Sequence, residues 1–385
     1  MKLLQITTIS ATLRAFILPF AHHFRDRGWQ VDAMAHGIST SPECLEAFDR
    51  VWEIEWSRNP LDPRNFIVAP KIIKQVMAEG KYDIVHVHTP VAGFVSRYAL
   101  NDLRKQGKCQ VVYTAHGFHF HPGGSRLKNA IYLNLEKLAG HWTDYLVTIN
   151  HEDEAAAKKY HLLPSECIRY MPGIGVDLDY YNPDKVSESE VARVRQELGI
   201  AEGVSLFLSV AEFIPRKHHR DVIQAFAKLA RPEVHLALAS SGPLVEEMRQ
   251  LSSDLGVENQ VHFLGVRKDI PTLMQASLAT ILVSEQEGLP RIVLESLAMK
   301  IPAIGSKIRG TQQLLEGGCG MLVDVGDIEG IARAMVWVLD HPEEAKAMGK
   351  RGREFMADYE LRKIIKLHEE LYAEALSENV PSSKS

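Results

Sequence analysis

Short apolar runs alternate along this chain with longer segments in which apolar residues recur every three or four positions. In the first half, buried strands are predicted for the runs KLLQIT, WQVDAMA, YDIVHVHT, CQVVYTAHG and DYLVTIN. The segments between them have helical spacing, as in LRAFILPFAHHFRDRG, which ends at Gly28. Regular alternation of strand and helix predicts a parallel sheet with helices on both faces, a doubly wound α/β fold.

The alternation is interrupted between Asn182 and Glu202 by a polar, charged segment that lacks strand signals. It restarts with the runs VSLFLSVA, VHLALASSG, QVHFLG, LATILVS and IPAIGS. A chain of 385 residues is also too long for one compact core. We therefore expect an N-terminal domain over residues 1–185 and a C-terminal domain over 186–360. A helix over 361–378 is expected to pack back on the N-terminal domain, followed by a flexible tail, 379–385.

The composition is that of an ordinary soluble globular protein, with 45% hydrophobic and 24% charged residues. A net charge of -5 argues against a nucleic-acid-binding protein, because such proteins normally carry a basic excess. The four cysteines form no Cys-x-x-Cys pair, so neither a zinc site nor a disulfide framework is indicated. The N-terminal apolar run is too short for a signal peptide, and no other run approaches the ~18 apolar residues of a membrane span, so we expect a cytoplasmic protein.

The segment SEQEGLPRIVLESLAMKIP carries one glutamate at the end of a strand and another inside the following helix. Glu287 follows the strand ATILVS, and Gly288, Leu289 and Pro290 lead into the helix that contains Glu295. Proline suits the first helical position, and the free N–H groups at a helix start attract phosphate. Glu287 is then placed to accept hydrogen bonds from a sugar, and Glu295 to reach a ribose hydroxyl. Two solvated carboxylates remain the alternative at this spacing.

Two further loops follow predicted strands and suit a phosphorylated ligand. Arg216 and Lys217 lie between LFLSVA and a helix, where an arginine fork and a lysine point charge fit a diphosphate. A solvated basic turn is the alternative. The turn from Ser240 to Pro243 contains small residues, among them Gly242, which let backbone approach a ligand closely.

Three histidines lie within the stretch YTAHGFHFHPGG, residues 113–124. His86 and His88 alternate along one side of a predicted strand, and together with His119 and His121 they allow a four-histidine metal site. That interpretation predicts a metal-dependent sugar deacetylase or hydrolase. No carboxylate lies at metal-ligand spacing beside them, so the alternative is a set of loop histidines near a substrate or packed against neighbouring aromatic residues.

Together these segments resemble the retaining glycosyltransferases of family 4, which have the two-domain GT-B architecture. The stretch SEQEGLPRIVLESLAMKIPAIGSKIRGTQQLLEGGCGMLV is similar to that family's Glu-x7-Glu motif and the glycine-containing loop after it, and FLGVRKDIPTLMQAS resembles its nucleotide-base segment. The segments HVHTP, VVYTAHGFHFHPGG and TDYLVTINHEDEAAAKK resemble the bacterial capsular and exopolysaccharide branch. The similarity runs over nearly the whole chain, with the motifs in the same order.

The resemblance implies two Rossmann-like domains that face a deep cleft. It implies a retaining transfer of a hexose or N-acetylhexosamine from a nucleotide sugar, UDP-linked, to a lipid-linked glycan on a polyprenyl diphosphate, in surface polysaccharide biosynthesis. No metal or other cofactor is expected, because fixed cations and helix N–H groups neutralise the leaving diphosphate. A nucleotide-sugar-binding subunit without activity is a further alternative.

The same resemblance assigns roles to individual residues. His116 and Glu287 are the expected catalytic residues, in contact with the transferred sugar. The donor-binding residues are expected to be Arg216, Lys217, Gly242, Arg267, Gly288, Leu289, Pro290 and Glu295. The acceptor side is expected to include Ser10, Ala11, Thr12 and His119.

Two departures from the family pattern affect these roles. The Gly-Arg-Leu that often precedes the lysine is replaced by Ala211, Glu212 and Phe213. A carboxylate near a diphosphate is unfavourable, so we expect Glu212 to point away or to pair with Arg216. In the first loop, the residues from Ser10 to Thr12 stand where glycines are common.

The segment RNFIVAPKIIKQVMAEGKY is predicted as a basic amphipathic helix. Arg64, Lys71, Lys74 and Lys81 lie among its apolar residues, a pattern that suits an anionic membrane surface. An ordinary surface helix with its apolar side on the sheet is the alternative. The family resemblance favours peripheral association with the cytoplasmic face of the inner membrane.

Overall fold

The structure is a computed structural model that describes residues 1–56, 62–201 and 203–377. It divides into two compact units. Unit 1 comprises Met1–Ile174 and the C-terminal segment from Arg362, and unit 2 comprises Gly175–Leu361. Each unit contains a parallel sheet wound with helices, which confirms the fold class predicted from the alternation. The predicted tail, 379–385, lies outside the described residues.

The sheet of unit 1 is built from buried apolar runs. Its strands are β1 (Lys2–Ile9), β2 (Gln30–His36), β3 (Val51–Glu53), β4 (Ile84–His88), β5 (Gln110–Ala115), β6 (Tyr145–Thr148) and β7 (Ile168–Tyr170). Within the described part of unit 1 these seven strands pair in parallel in the order β3-β2-β1-β4-β5-β6-β7. Strand β4, IVHVH, is buried at every position, as expected for a central parallel strand covered on both faces.

Helices connect these strands by parallel crossovers. They are α1 (Ser10–Phe16), α2 (Leu18–Asp26), α3 (Pro42–Ala47), α4 (Arg64–Ile67), α5 (Ala69–Gly80), α6 (Pro90–Lys105), α7 (Arg126–Gly140) and α8 (His151–Lys159). The strand order reverses between β1 and β4. In sheets of this kind the ligand site lies at the carboxyl ends of the strands beside that reversal.

Unit 2 repeats the architecture with strands β8 (Ser205–Val210), β9 (Val234–Ala239), β10 (Val261–Gly265), β11 (Ala279–Leu282), β12 (Ala303–Ser306) and β13 (Gly320–Val323). They pair in the order β10-β9-β8-β11-β12-β13, so the reversal lies between β8 and β11. The helices are α9 (Glu188–Glu197), α10 (His219–Lys228), α11 (Val245–Asp254), α12 (Ile270–Gln275), α13 (Arg291–Ala298), α14 (Arg309–Leu315), α15 (Ile328–Asp340) and α16 (Pro342–Phe355).

Unit 2 begins at Gly175, before the polar segment from which the sequence predicts a boundary at 185/186. The reason is local packing. Val176 and Tyr181 are buried in the core of unit 2, and the Val176 N–H donates to the carbonyl of Tyr359 at 2.8 Å. The polar segment itself forms α9, which a capping box between Ser187 and Glu190 starts.

The last helix, α17 (Leu361–Ser377), packs on unit 1. Leu371, Tyr372 and Ala375 are buried in a core cluster with residues of β1, β2 and β6. Glu369 accepts a hydrogen bond from Nε2 of His23 on α2 at 2.7 Å. The helix thereby brings its own side chains into the interior of unit 1.

Candidate active site

Two loops of unit 2 bring a lysine and a glutamate together at the carboxyl edge of its sheet. Lys217 ends a short 3-10 turn that follows β8, and Glu287 follows the neighbouring strand β11. The Lys217 ammonium donates a hydrogen bond to the Glu287 carboxylate, and both side chains are 13% exposed. Backbone pairing fixes the loops, since the Glu285 N–H donates to the carbonyl of Arg216 at 2.9 Å. A cation and a hydrogen-bond acceptor thus lie side by side, as binding of a phosphorylated sugar requires.

Two arginines lie next to this pair. The exposed Arg216 donates to the carbonyl oxygen of Gln286 at 3.1 Å, and Arg309 donates from Nε to the carbonyl of Glu287 at 3.2 Å. Glu212 is exposed, and within the described part of unit 2 it forms no ion pair with Arg216. Of the two expectations for Glu212, pairing with Arg216 is therefore not observed in the part of unit 2 that the structure describes. Three cationic side chains therefore border the loop that carries Glu287.

The segment from Gly288 to Pro290 connects Glu287 to α13. The sequence predicts Pro290 as the first helical residue, but its ψ of 115° is extended and the helix begins at Arg291. Pro290 instead caps the helix, and its carbonyl accepts from the Val293 N–H at 3.1 Å. The start of α13, where a helix presents backbone N–H groups and the positive end of its dipole, therefore lies directly after the segment that follows Glu287.

Glu295 is buried on α13, with 6% of its surface exposed. Its Oε1 accepts hydrogen bonds from the Tyr181 hydroxyl and from Nε of Arg291, both at 2.6 Å. Burial raises the pKa of the Glu295 carboxyl, and Arg291 and Tyr181 oppose that rise. Two fixed donors therefore orient the carboxylate, as recognition of a ribose hydroxyl requires.

The small size of Gly242 lets another segment of the backbone approach it closely. Its φ is 156°, and a Cβ there would lie 2.6 Å from the backbone N and O of Phe213. The Phe213 N–H donates to the carbonyl of Ser241 at 3.0 Å, which holds the two loops together. The structure shows close approach of the loop that precedes Lys217, and the approach of a ligand at Gly242 stays a prediction.

Arg267 is held by two carboxylates on neighbouring segments. Its guanidinium donates to Asp269 at 2.7 and 2.8 Å and also to Glu197 on α9. These hydrogen bonds raise the pKa of the arginine. The structure therefore places this predicted donor-binding residue in an ion-pair cluster of its own.

On unit 1, the residues predicted as a first loop belong to a helix. Strand β1 ends at Ile9 and α1 begins directly at Ser10, so Ser10, Ala11 and Thr12 form its first turn. Because this segment contains no glycine, which would disfavour a helix, α1 can begin directly after the strand. Ala11 is exposed, and Ser10 and Thr12 are half-buried.

His116 follows β5 and is half-buried against α1. Its ring stacks on Phe16 with centroids 5.6 Å apart, and its Nε2 lies 3.1 Å from Nδ1 of His88 on β4. Burial, reinforced by the nearby His368, lowers the pKa of His116 to about 4. The imidazole is therefore neutral at neutral pH.

The four-histidine metal site does not assemble. His86 and His88 do share one side of β4, with ring centroids 4.3 Å apart. His119 is exposed and lies 5.1 Å from the Tyr132 ring, and Nδ1 of His121 lies 3.0 Å from the carbonyl of the next residue. Across residues 1–56, 62–201 and 203–377, no three or more His, Cys, Asp or Glu side chains are grouped to hold a metal ion.

Several residues that contact the predicted site residues cannot be identified from the sequence. The contact of Arg291 with Glu295 is an exception that the sequence does predict, because the two residues lie four positions apart on one helix. Tyr181 carries no such signal, since it is 114 residues from Glu295. The partners of the buried histidines come from β1 and α17, and only the folded sheet brings these elements together.

Comparison with known proteins covers both units. The family model described as Glycosyltransferase Family 4 matches residues 15–180, and the one described as Glycosyl transferases group 1 matches residues 190–355. The chain is 34% identical over 355 residues to EpsD of Bacillus subtilis (strain 168), which is named as a glycosyltransferase, and the match covers 91% of each protein.

Two further similarities are to a curated relative and to a solved structure. The chain is 28% identical over 286 residues to the UDP-Gal:alpha-D-GlcNAc-diphosphoundecaprenol alpha-1,3-galactosyltransferase of Escherichia coli, which covers 72% of this chain and 71% of that one. The crystal structure of Anabaena Alr3699/HepE in complex with UDP and glucose superposes with a TM-score of 0.81 at 20% identity, covering 97% of this chain and 100% of that one.

Proposed function

The chain belongs to glycosyltransferase family 4 and has the GT-B fold, and from this premise we propose that it moves a hexose or N-acetylhexosamine from a UDP-sugar to a lipid-linked glycan with retention of configuration. Membership makes it a transferase, which sets aside the metal-dependent deacetylase and the inactive subunit. The product enters capsular or exopolysaccharide biosynthesis.

The observation that carries the proposal is the Lys217–Glu287 pair beside the start of α13. In the proposed complex, Lys217 and Arg216 hold the diphosphate, and the first N–H groups of α13 meet its oxygens. Glu287 binds hydroxyls of the transferred sugar, and Glu295 binds the ribose. These fixed charges and dipoles neutralise the leaving diphosphate without a metal ion.

The relatives support the choice of donor and acceptor. The name of the Escherichia coli relative specifies UDP-galactose as the donor, and the Anabaena structure contains UDP. The same relative is named for a sugar on diphosphoundecaprenol. A UDP-sugar and a glycan on a polyprenyl diphosphate are therefore the proposed substrates here.

The proposed chemistry retains the configuration without a carboxylate nucleophile. The bond from the sugar to the diphosphate breaks, and the acceptor hydroxyl forms the new bond on the same face. Its proton passes to the leaving phosphate oxygen. His116 contacts a hydroxyl of the transferred sugar as a neutral imidazole, which suits a reacting carbon that gains positive charge.

Peripheral membrane association is part of the proposal, and the structure offers a surface for it. In the segment predicted to lie on the membrane, α5 is an ordinary surface helix, with exposed lysines and a buried apolar side, whereas Phe66, Ile67 and Val68 before it are exposed. Helix α7 instead exposes an apolar stripe, and its Leu127 is 71% exposed. The stripe is Leu127, Ile131, Leu135 and Leu138, and Arg126, Lys128 and Lys137 flank it. Within the described residues, no helix has the length and apolar character to cross a bilayer.

The test is a transfer assay with a synthetic glycan on polyprenyl diphosphate and a panel of UDP-, GDP- and ADP-sugars. We expect turnover with a UDP-hexose or UDP-N-acetylhexosamine, and a product whose anomeric configuration, read by NMR, matches that of the donor. An inverted product would overturn the retaining mechanism. Turnover with GDP-sugars alone would overturn the choice of base.

A further inference from the structure

Behind His116, unit 1 buries a chain of hydrogen-bonded side chains that sequence reasoning does not account for. Gln5 on β1, His86 and His88 on β4, and Tyr372 on α17 are all buried. Three separate elements of the fold thus contribute to one polar cluster in the interior. Buried polar groups are costly unless they are satisfied, so this arrangement calls for a role.

The direction of the hydrogen bonds follows from one amide. The Gln5 side-chain oxygen lies 2.9 Å from Nε2 of His88, and an amide oxygen only accepts, so Nε2 of His88 carries its proton. In a neutral imidazole the other nitrogen is then an acceptor. That nitrogen, Nδ1 of His88, lies 3.1 Å from Nε2 of His116, so His116 must donate from Nε2.

The second arm of the chain agrees with this direction. The Gln5 amide nitrogen donates to the Tyr372 hydroxyl at 3.5 Å, and that hydroxyl lies 2.6 Å from Nδ1 of His86. Nε2 of His86 lies 2.7 Å from the Thr114 hydroxyl. With Tyr372 donating to Nδ1, His86 donates from Nε2 to Thr114, and both arms are satisfied with every imidazole neutral.

The surroundings of these hydrogen-bonded side chains keep the histidines neutral and leave almost no room for water. The ring of Phe16 stacks on His116, the ring of His88 lies beside it, and His368 on α17 lines the same cavity. Burial lowers the pKa of His116 and of His368 to about 4, and lowers those of His86 and His88 well below the ordinary value. The cavity enclosed by the cluster measures about 20 Å³, room for roughly one water molecule.

We infer that Gln5 and His88 are positioning residues that hold His116 in the tautomer protonated at Nε2, so that its Nδ1 accepts a hydrogen bond from a hydroxyl of the transferred sugar. Among the described residues, Nδ1 of His116 has no hydrogen-bond partner. The inference rests on the proposed contact between His116 and the sugar. It adds that two buried residues, Gln5 and His88, make His116 the acceptor and not the donor of the hydrogen bond at that contact.

The first test is spectroscopic and uses the wild-type protein. Histidines are labelled with ¹⁵N, and the His116 signals are assigned by their loss in His116→Gln. At pH 7 we expect one neutral tautomer of His116, with Nε2 protonated and Nδ1 bare. A signal from protonated Nδ1, or from two tautomers in exchange, overturns the inference whether or not the protein transfers sugar.

The second test is kinetic. His88→Phe keeps the ring shape and removes both nitrogens, so we expect kcat to fall about 100-fold, as misorientation of a reacting group does. The donor KM should change by less than about threefold, because ground-state binding lies mainly on unit 2. His88→Asn, whose amide oxygen can take the place of Nδ1, should recover most of the lost kcat.

The control is His22→Gln, an exposed histidine on α2, which should match the wild type. Wild-type kcat in His88→Phe, or a loss confined to KM, overturns the inference. If His88→Phe does not fold, the tautomer in the wild-type protein still decides. Failure of the wild-type protein to use any nucleotide sugar would defeat the proposed function and leave the spectroscopic result standing.

Discussion

Lys217 and Glu287 form an ion pair although they are 70 residues apart. The pairing arises because β8 and β11 are neighbours at the point where the strand order of unit 2 reverses, and each residue follows its strand. With 13% of each side chain exposed, the two charges are shielded from water and oriented by each other. A phosphate and a sugar hydroxyl are the natural partners to share this pair, and the proposed function therefore places the donor here.

Lys217→Met and Glu287→Gln should each reduce kcat/KM for transfer by at least about 100-fold, because each removes a charge that acts on the reacting groups. Each should also lower the free energy of unfolding by about 1–3 kcal/mol, since the remaining charge is left unpaired in a half-buried site. Transfer assays and urea unfolding measure the two effects.

The matched control for that pair is Arg220→Met, which breaks the exposed ion pair with Glu247 and should shift stability by less than about 0.5 kcal/mol. The double variant Lys217→Met, Glu287→Gln should be more stable than the sum of the single losses predicts. Wild-type transfer in the double variant would refute the assignment of the donor site.

Gly310→Ala should displace the loop from Gly288 to Pro290, which follows Glu287. A Cβ at Gly310 would lie 2.0 Å from the carbonyl oxygen of Gly288, so the segment that leads into α13 has to shift. We expect about 1–3 kcal/mol of lost stability and weaker binding of UDP-sugar, measured by calorimetry. Gly317→Ala is the control, because its added Cβ meets only the Cys319 sulfur, at 3.7 Å. Equal donor affinity in both variants would contradict the coupling of Gly310 to the loop.

The fold and the meeting of the loops that carry Lys217 and Glu287 follow from the sequence. Local geometry accounts for what does not. Strand and helix alternation predicts both sheets, and the residues that follow β8 and β11 predict which loops meet. Pro290 is displaced by one residue because a helix start depends on the dihedral angles of the preceding turn. The histidine chain is unpredictable because its links, such as His86 to Tyr372, span 286 residues and arise only when α17 packs on β4.

Glu295→Gln should weaken donor binding and leave kcat nearly unchanged. The amide keeps the shape of the side chain but removes the negative charge of the carboxylate, whose oxygen accepts hydrogen bonds from Tyr181 and Arg291 at 2.6 Å. We expect the Kd for UDP-sugar to rise about 10- to 100-fold, the range of one charged hydrogen bond. The increase in melting temperature that UDP-sugar produces should shrink accordingly. Unchanged affinity with reduced kcat would assign Glu295 to the chemical step instead.

The buried histidines should make unit 1 sensitive to acid. The pKa of His368 falls from an ordinary 6.5 to about 4 on folding, so between these values the unfolded chain binds more protons and stability falls as pH falls. In His368→Gln, the loss of stability between pH 7 and pH 5 should be smaller by at most about 2 kcal/mol. Thermal melts across this range measure it, with His22→Gln as the exposed control. An unchanged pH slope in His368→Gln would contradict the neutral buried state.

The apolar stripe on α7 should carry the membrane contact. Leu127 and Ile131 are 71% and 51% exposed and lie one helical turn apart, with Arg126 and Lys128 beside them. Such a face gains from apolar insertion and from attraction to anionic lipid together. In cosedimentation with vesicles of phosphatidylcholine and phosphatidylglycerol, the wild-type protein should bind, and Leu127→Glu, Ile131→Glu should not.

Val266→Glu is the control for a general change in surface polarity, because Val266 is 75% exposed but belongs to unit 2 and not to α7. It should bind the vesicles like the wild-type protein. Binding should fall with added salt and with vesicles of phosphatidylcholine alone, since both weaken the electrostatic part of the attraction. If the α7 double variant binds as well as Val266→Glu does, the contact lies elsewhere on the molecule. If all variants bind neutral and anionic vesicles alike, the basic residues of α7 have no part in it.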